Sequence, residues 1–282
     1  MMITLLSPWR REKILLATDG SEFSAGAERE AIQLARTLNS QLFITSVVNA
    51  SPEADPVALQ HLIKQAENKA YSYLETVKSK ALEANVKSEI QLCRGESPYE
   101  AIVETAEEEK VDLIVMGRRG KSGLMRLMMG SSTAKVIGLA NCNILVTPRE
   151  GEIKGKNFLL AVDGSRYSEK AAATVVKLAQ GFNAKVTVIS VVYTSHKEER
   201  HKEAEAVIER ITAFLQEQGI SVESQIVTGR YAETIVKTAE EIGCDLIVVG
   251  SHGRTGLEKI LVGSVSERVI GFAQCAVLVV KA

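Results

Sequence analysis

The chain of 282 residues has four cysteines, four histidines, five prolines, a single tryptophan (Trp9), and only 5% aromatic content. Each scarcity excludes a class of protein. Cys93, Cys142, Cys244 and Cys275 form no Cys-x-x-Cys, so zinc or redox chemistry has no spacing to rest on. Cys142 and Cys275 open corresponding apolar runs and read as small buried thiols, in the reduced setting of a cytoplasmic protein. His61, His196, His201 and His252 show no metal-ligand spacing; His196 and His201, five apart in a highly charged segment, do not share a helix face. Positive and negative charges balance to a formal net charge of −1 without long runs of one sign, which leaves no basic footprint for nucleic acid. No stretch approaches the ~20 apolar residues of a membrane span. Residues 1–11 are apolar only briefly and lack a basic n-region, so a loosely ordered tail carrying Trp9 is expected rather than a signal peptide. Also missing are a Gly-x-Ser-x-Gly elbow, a Gly-x-x-x-x-Gly-Lys-Ser/Thr loop and a Gly-x-Gly-x-x-Gly after the first strand.

What is present is one pattern written twice. The stretch Asp112-Leu-Ile-Val-Met116-Gly117-Arg-Arg-Gly120 is followed by nine residues and then Gly130-Ser131-Ser132. It returns as Asp245-Leu-Ile-Val-Val249-Gly250-Ser-His-Gly253, nine residues, and Gly263-Ser264-Val265. Likewise Lys13-Ile-Leu-Leu-Ala-Thr-Asp19-Gly20-Ser21 returns as Asn157-Phe-Leu-Leu-Ala-Val-Asp163-Gly164-Ser165. Around these anchors each copy reads strand, helix, strand, long charged helix, alternating strand, helix, strand, helix, strand. Helices are expected at about 24–38 and 168–180, with Ser or Asp capping their starts, and at about 56–84 and 197–218. In the first long helix Leu62, Ala66, Lys69, Tyr73 and Val77 lie along one stripe. The Asp-Gly-Ser elements are 144 positions apart and the glycine elements 133, so eleven residues are missing from the second copy, most simply around its long helix. Alternating strands and helices imply a parallel sheet with helices on both faces. The expected fold is α/β, two tandem Rossmann-like domains of five parallel strands each. They divide as 1–150, with a short extension 1–12, and 151–282, at the polar stretch 149–156.

Ligands of such sheets bind at the carboxyl ends of strands. Asp19 and Asp163 end first strands, and Gly117 and Gly250 end fourth strands, which neighbour the first in the usual order. Glycines without side-chain obstruction, running into a helix N-terminus, make an anion cradle. A carboxylate beside it suits a nucleotide: the carboxylate takes a donor from ribose or base, the backbone N–H groups take phosphates, and Ser131 or Ser264 adds a hydroxyl. Asp-Gly-Ser is also an ordinary turn with a helix cap. Val47 and Val191, ending second strands, read either as core or as the wall of an adenine site. Arg118, Arg119, Lys121, His252 and Arg254 flank the glycines, either screening phosphate charge or simply solvated.

With these residues the chain resembles the universal stress protein family in its tandem form, over nearly its whole length from about Lys13. The family's nucleotide pattern, Gly, two residues, Gly, nine residues, Gly, Ser or Thr, is met at Gly117/Gly120/Gly130/Ser131 and at Gly250/Gly253/Gly263/Ser264. The strand-end aspartate corresponds to Asp19 and Asp163, the adenine-side valine to Val47 and Val191. Met116, Ser132, Val249 and Val265 sit inside the same stretches and complete the expected sites. The resemblance implies an adenine-nucleotide fold, ATP as ligand, Mg2+ or Mn2+ carried by the phosphates with no protein ligand, and a role in stress physiology. It also implies pairing through the last strands, here 144–147 with 277–280 inside one chain, with a further homodimer and an unidentified protein partner beyond. Arg118-Arg119 departs from the Ser251-His252 pairing of the second copy, so unequal affinities are expected. The leading reading is an ATP-binding regulatory module without catalytic residues. A slow ATPase or autophosphorylating enzyme using Ser131 or Ser264, and a nucleotide-independent scaffold using the long helices, are the alternatives.

Overall fold

The structure is a computed structural model describing residues 12–49, 56–120, 129–193, 197–254 and 262–282. Trp9 and the N-terminal tail, the connection 50–55, Lys121 and His196 lie outside these residues. The first copy runs β1 (Lys13–Ala17), α1 (Ala25–Thr37), β2 (Gln41–Asn49), α2 (Pro56–Glu83), β3 (Ser88–Gly95), α3 (Pro98–Glu108), β4 (Leu113–Gly117), α4 (Ser131–Leu139) and β5 (Asn143–Thr147). The second runs β6 (Asn157–Ala161), α5 (Arg166–Phe182), β7 (Lys185–Val192), α6 (Lys197–Glu217), β8 (Val222–Thr228), α7 (Tyr231–Glu241), β9 (Leu246–Gly250), α8 (Ser264–Phe272) and β10 (Ala276–Val280).

All ten strands form one sheet, ordered β3-β2-β1-β4-β5-β10-β9-β6-β7-β8. Pairing is parallel within each copy and antiparallel at the centre, where β5 meets β10 with Leu145 opposite Leu278 and Val146 opposite Val277. The apolar last strands therefore cover each other's edges. Both faces are covered, which is why the inner strands are near-continuous runs of Ile, Leu and Val. Alternate residues supply alternate layers: Ile14 and Leu16 join Leu34, Leu74, Val175 and Ile211 under α1, α2, α5 and α6, while Leu15 joins Ile102, Ile137, Ile235 and Val269 under α3, α4, α7 and α8.

Two local expectations fail. In α2 the buried stripe is Leu74, Val77 and Ala81, with Tyr73 half-buried, whereas Ala66 and Lys69 are exposed and Leu62 is 60% exposed. At ~1.5 Å per residue this helix of 28 residues reaches about 42 Å. The nine residues of β2 span about 30 Å at ~3.3 Å each, so the helix outruns the strand, and the buried stripe continues forward through half-buried Ile63, Glu67 and Ala70, about 120° round from Leu62 at ~3.6 residues per turn. The helix caps differ too. Ser165 Oγ accepts from Ser168 N at 3.2 Å and caps α5. Ser21 Oγ instead donates to Asp19 Oδ1 at 2.6 Å, and α1 begins after a short 3-10 turn at Ser24, which gives no side-chain cap.

The polar stretch between the copies is docked on α1. Ile153 is fully buried; its N–H donates to Glu30 Oε2 at 3.1 Å and its carbonyl accepts from Gln33 Nε2 at 2.7 Å. Arg29 donates to the carbonyls of Arg149 and Gly151. Gly26 makes room for this strap, since a Cβ there would lie 2.3 Å from the Pro148 carbonyl oxygen.

Candidate functional site

Register places the candidate residues. β1 pairs β4, and β6 pairs β9, so each strand-end aspartate stands beside the glycine that ends the neighbouring strand. The contact is close in both copies. A Cβ on Gly120 would lie 2.9 Å from Asp19 Oδ2, and one on Gly253 would lie 2.9 Å from Asp163 Oδ2. Gly20 and Gly164 hold the turn after each aspartate at φ +67° and +79°, values that suit residues without a Cβ. The carboxylates are fixed by backbone donors: Asp19 Oδ1 accepts from Ser21 N, and Asp163 Oδ1 from Ser165 N, each at 3.0 Å.

The helix half of the cradle is equally built in. Gly130 and Gly263 are the N-caps of α4 and α8, with no side-chain cap on either. A glycine offers no side chain to cap the first N–H groups of those helices, which carry the positive end of the helix dipole. Gly130 N donates to Arg118 O, and Gly263 N to Ser251 O, both at 2.9 Å, folding the glycine loop back onto the helix start. A hydroxyl two residues further on ties the helix to the strand end: Thr133 Oγ1 donates to Gly117 O at 3.1 Å and Ser266 Oγ to Gly250 O at 2.7 Å. Reading the sequence alone missed Thr133 and Ser266. Their signal was a hydroxyl three residues after the last glycine in both copies.

In the second copy these parts enclose a cavity of ≈ 290 Å³. Asp163, Gly250 and Gly253 line one side, and Gly263, Ser264 and Val265 another. Val191 and Val249 form the apolar wall with Ile189 and Ile235. The eight residues singled out for this copy are thus brought together. Arg200, from α6, and Tyr231, from α7, close the apolar end, with Arg200 Nη1 donating to Tyr231 Oη at 3.3 Å. Neither was anticipated, because α6 and α7 meet only through the sheet order. In the first copy Asp19, Gly117, Gly120 and Gly130 are arranged the same way. Ser131 and Ser132 open α4, and Val47 packs half-buried on the core layer that contains buried Met116.

The flanking cations part company. Arg254 lines the cavity, its N–H donating to Asp163 Oδ2 at 3.1 Å and its guanidinium to the Asp163 carbonyl and to Glu203. The His252 ring lies against Tyr167, centroids 5.2 Å apart. Arg118 does not serve the cradle. It turns across the β5/β10 seam and donates to the carbonyls of Gly271 and Ala273, at 3.2 and 2.8 Å, at the end of α8. On the other side Lys281 Nζ donates to Ile137 O at 2.6 Å at the end of α4. Each helix is capped by a cation of the other copy, supplied from non-equivalent positions.

Fold and loops together define a Rossmann-like α/β protein with a glycine-lined loop at the strand ends of each copy. A sequence model of the universal stress protein family matches residues 10–148 and again 155–281. The chain belongs to that family. It is 25% identical over 280 residues to a universal stress protein of Synechocystis, covering 92% of this chain and 96% of that protein. It is 37% identical over 146 residues to one from Methanocaldococcus jannaschii, covering 47% of this chain and 86% of that protein. A crystal structure of a universal stress protein from Archaeoglobus fulgidus superposes with a TM-score of 0.77 at 23% identity, covering 95% of this chain and 98% of that one.

Proposed function

We propose that the chain binds ATP as a regulatory module and does not turn it over rapidly. The observation that supports this is the second-copy cavity, which joins a carboxylate, the glycine-capped N-terminus of α8 and an apolar wall. These three parts suit a ribose, phosphates and a purine in that order. The Gly253 position, where a Cβ would meet Asp163 Oδ2, lets the loop lie this close to the ribose-side carboxylate. Gly263, Ser264 and Val265 would take the phosphates, and Val191 and Val249 the base. A divalent cation would be carried by the phosphates and would neutralise them. Nucleotide in place would alter the surface that this end of each copy presents to a protein partner.

Thermal-shift and calorimetric titration with MgATP test the reading. Ligand at about 100 times Kd should add about 2.7 kcal/mol of stability, and the paired substitution Gly130→Val with Gly263→Val should abolish the gain. No stabilisation at millimolar MgATP would overturn the proposal.

A further inference from the structure

Cys244 and Cys275 stand at the starts of neighbouring strands, at the end of the sheet opposite the glycine cradle. β9 and β10 are hydrogen-bonded in parallel register from the rung Leu246–Ala276, two residues beyond Cys244 and one beyond Cys275, so the two cysteines stand diagonally, one step apart along the strands. A strand spacing of about 4.8 Å combined with one step of about 3.3 Å along the strand puts their Cα atoms about 5.8 Å apart, within the ~4.4–6.8 Å that a disulfide spans. Both side chains pack on the same core layer, so they leave the sheet on one face. Both are only half-buried, and both line a cavity of ≈ 510 Å³ whose other wall is the strap between the copies. Cys244 donates its S–H to Leu246 O at 3.0 Å. The neighbouring Cys275 thiol is the first cause that raises the Cys244 pKa, ahead of burial. The first copy has no such pair: buried Val111 takes the place of Cys244, and Cys142 stands without a cysteine opposite.

We propose that Cys244 and Cys275 are a redox-active dithiol, a modification site of the second copy that a peroxide closes to an intramolecular disulfide. Cys244 keeps its proton on the Leu246 carbonyl, so the Cys275 sulfur is the attacking nucleophile. It attacks one peroxide oxygen, the O–O bond breaks, and the departing oxygen leaves as water with the Cys275 proton, giving a sulfenic acid. The Cys244 sulfur then attacks the Cys275 sulfur. The S–O bond breaks, and hydroxide leaves as a second water with the Cys244 proton. Two thiols lose two electrons and two protons, and one hydrogen peroxide becomes two waters. Because the thiolate is the reactive form, the protonated Cys244 makes closure slow at neutral pH and faster as pH rises.

The test uses the whole chain, fully reduced, treated with hydrogen peroxide, quenched with N-ethylmaleimide and digested without reductant for mass spectrometry. A linked peptide pair containing Cys244 and Cys275, lighter by two hydrogens and reopened by dithiothreitol, is expected, with Cys93 and Cys142 recovered as alkylated thiols. Phenylarsine oxide, which condenses with two close thiols and releases one water, should form a single adduct on the untreated protein and none on Cys244→Ser or Cys275→Ser. Val111→Cys should create a second link, to Cys142. Independent over-oxidation of Cys275 with Cys244 still alkylatable, or links that involve Cys93 instead, would overturn the proposal.

Discussion

A Cβ on Gly253 would come within 2.9 Å of Asp163 Oδ2, and that carboxylate is already pinned by two backbone N–H groups. Gly253→Ala is therefore expected to push the carboxylate off its donors. The fold should lose about 1–3 kcal/mol, the size of two net hydrogen bonds. The MgATP response should fall at least tenfold in affinity, and titration calorimetry on the variant reads it. Elsewhere two buried carboxylates set a pH dependence. Asp245 holds Lys154 N and Lys156 N on Oδ2, both at 3.0 Å, while its buried Oδ1 has no hydrogen-bond partner. Burial pushes its pKa up, against those backbone bonds. Glu30 is raised in the same way, burial outweighing the Ile153 N–H and Arg29. A folded-state pKa above the unfolded value means that the folded protein binds more protons between the two. Their contribution is then full below the ordinary carboxylate range and is lost as pH rises through the raised values. Asp245→Asn keeps an acceptor for the strap and should flatten that decline, raising the urea midpoint at neutral pH; an unchanged pH slope would contradict this.

At the scale of elements, the glycine cradle and the alternation of strand and helix were legible because period and spacing are local. Strand-end positions such as Asp163 and Gly250 follow from an apolar run that stops. The buried face of α2 was not legible, because its front half carries apolar residues on two faces, and only packing on the sheet selects the one with Leu74, Val77 and Ala81 over that with Leu62, about 120° away at ~3.6 residues per turn. The role of Arg118 was equally hidden. Beside a glycine loop it reads as either screening phosphate charge or solvated, yet it caps α8 of the other copy. Removing it leaves helix-end carbonyls without their donor, and hydrogen bonds to charged groups contribute about 1.5–3 kcal/mol. Arg118→Met, which keeps much of the volume, is expected to lower stability by about that amount while leaving the second-copy cavity unaltered. Burial also holds the Arg118 pKa below its ordinary value, which places the result toward the lower end. Chemical denaturation checks the loss, and a nucleotide titration checks that the site is spared.

For the whole molecule, one sheet runs through both copies, its centre formed by Leu145 and Leu278, each nearly fully buried. The strap adds Ile153 and its bonds to α1. Two copies joined this way should unfold as one unit, giving a single calorimetric transition whose enthalpy equals the van't Hoff value; two resolved transitions would show that the seam is weak. Leu278→Ala should cost about 2–5 kcal/mol, the range for a buried leucine, and lower the stability of both copies together. By itself the sequence determined the duplication, the order of elements and the residues of the cradle, because repeats, periodicity and glycine spacing are properties of neighbours along the chain. The tertiary structure alone decided which groups from distant positions meet. It set Asp163 against Gly253, brought Arg200 and Tyr231 to the cavity, sent Arg118 across the seam, and placed Cys244 beside Cys275. Such meetings follow from strand order and register, which no local pattern encodes.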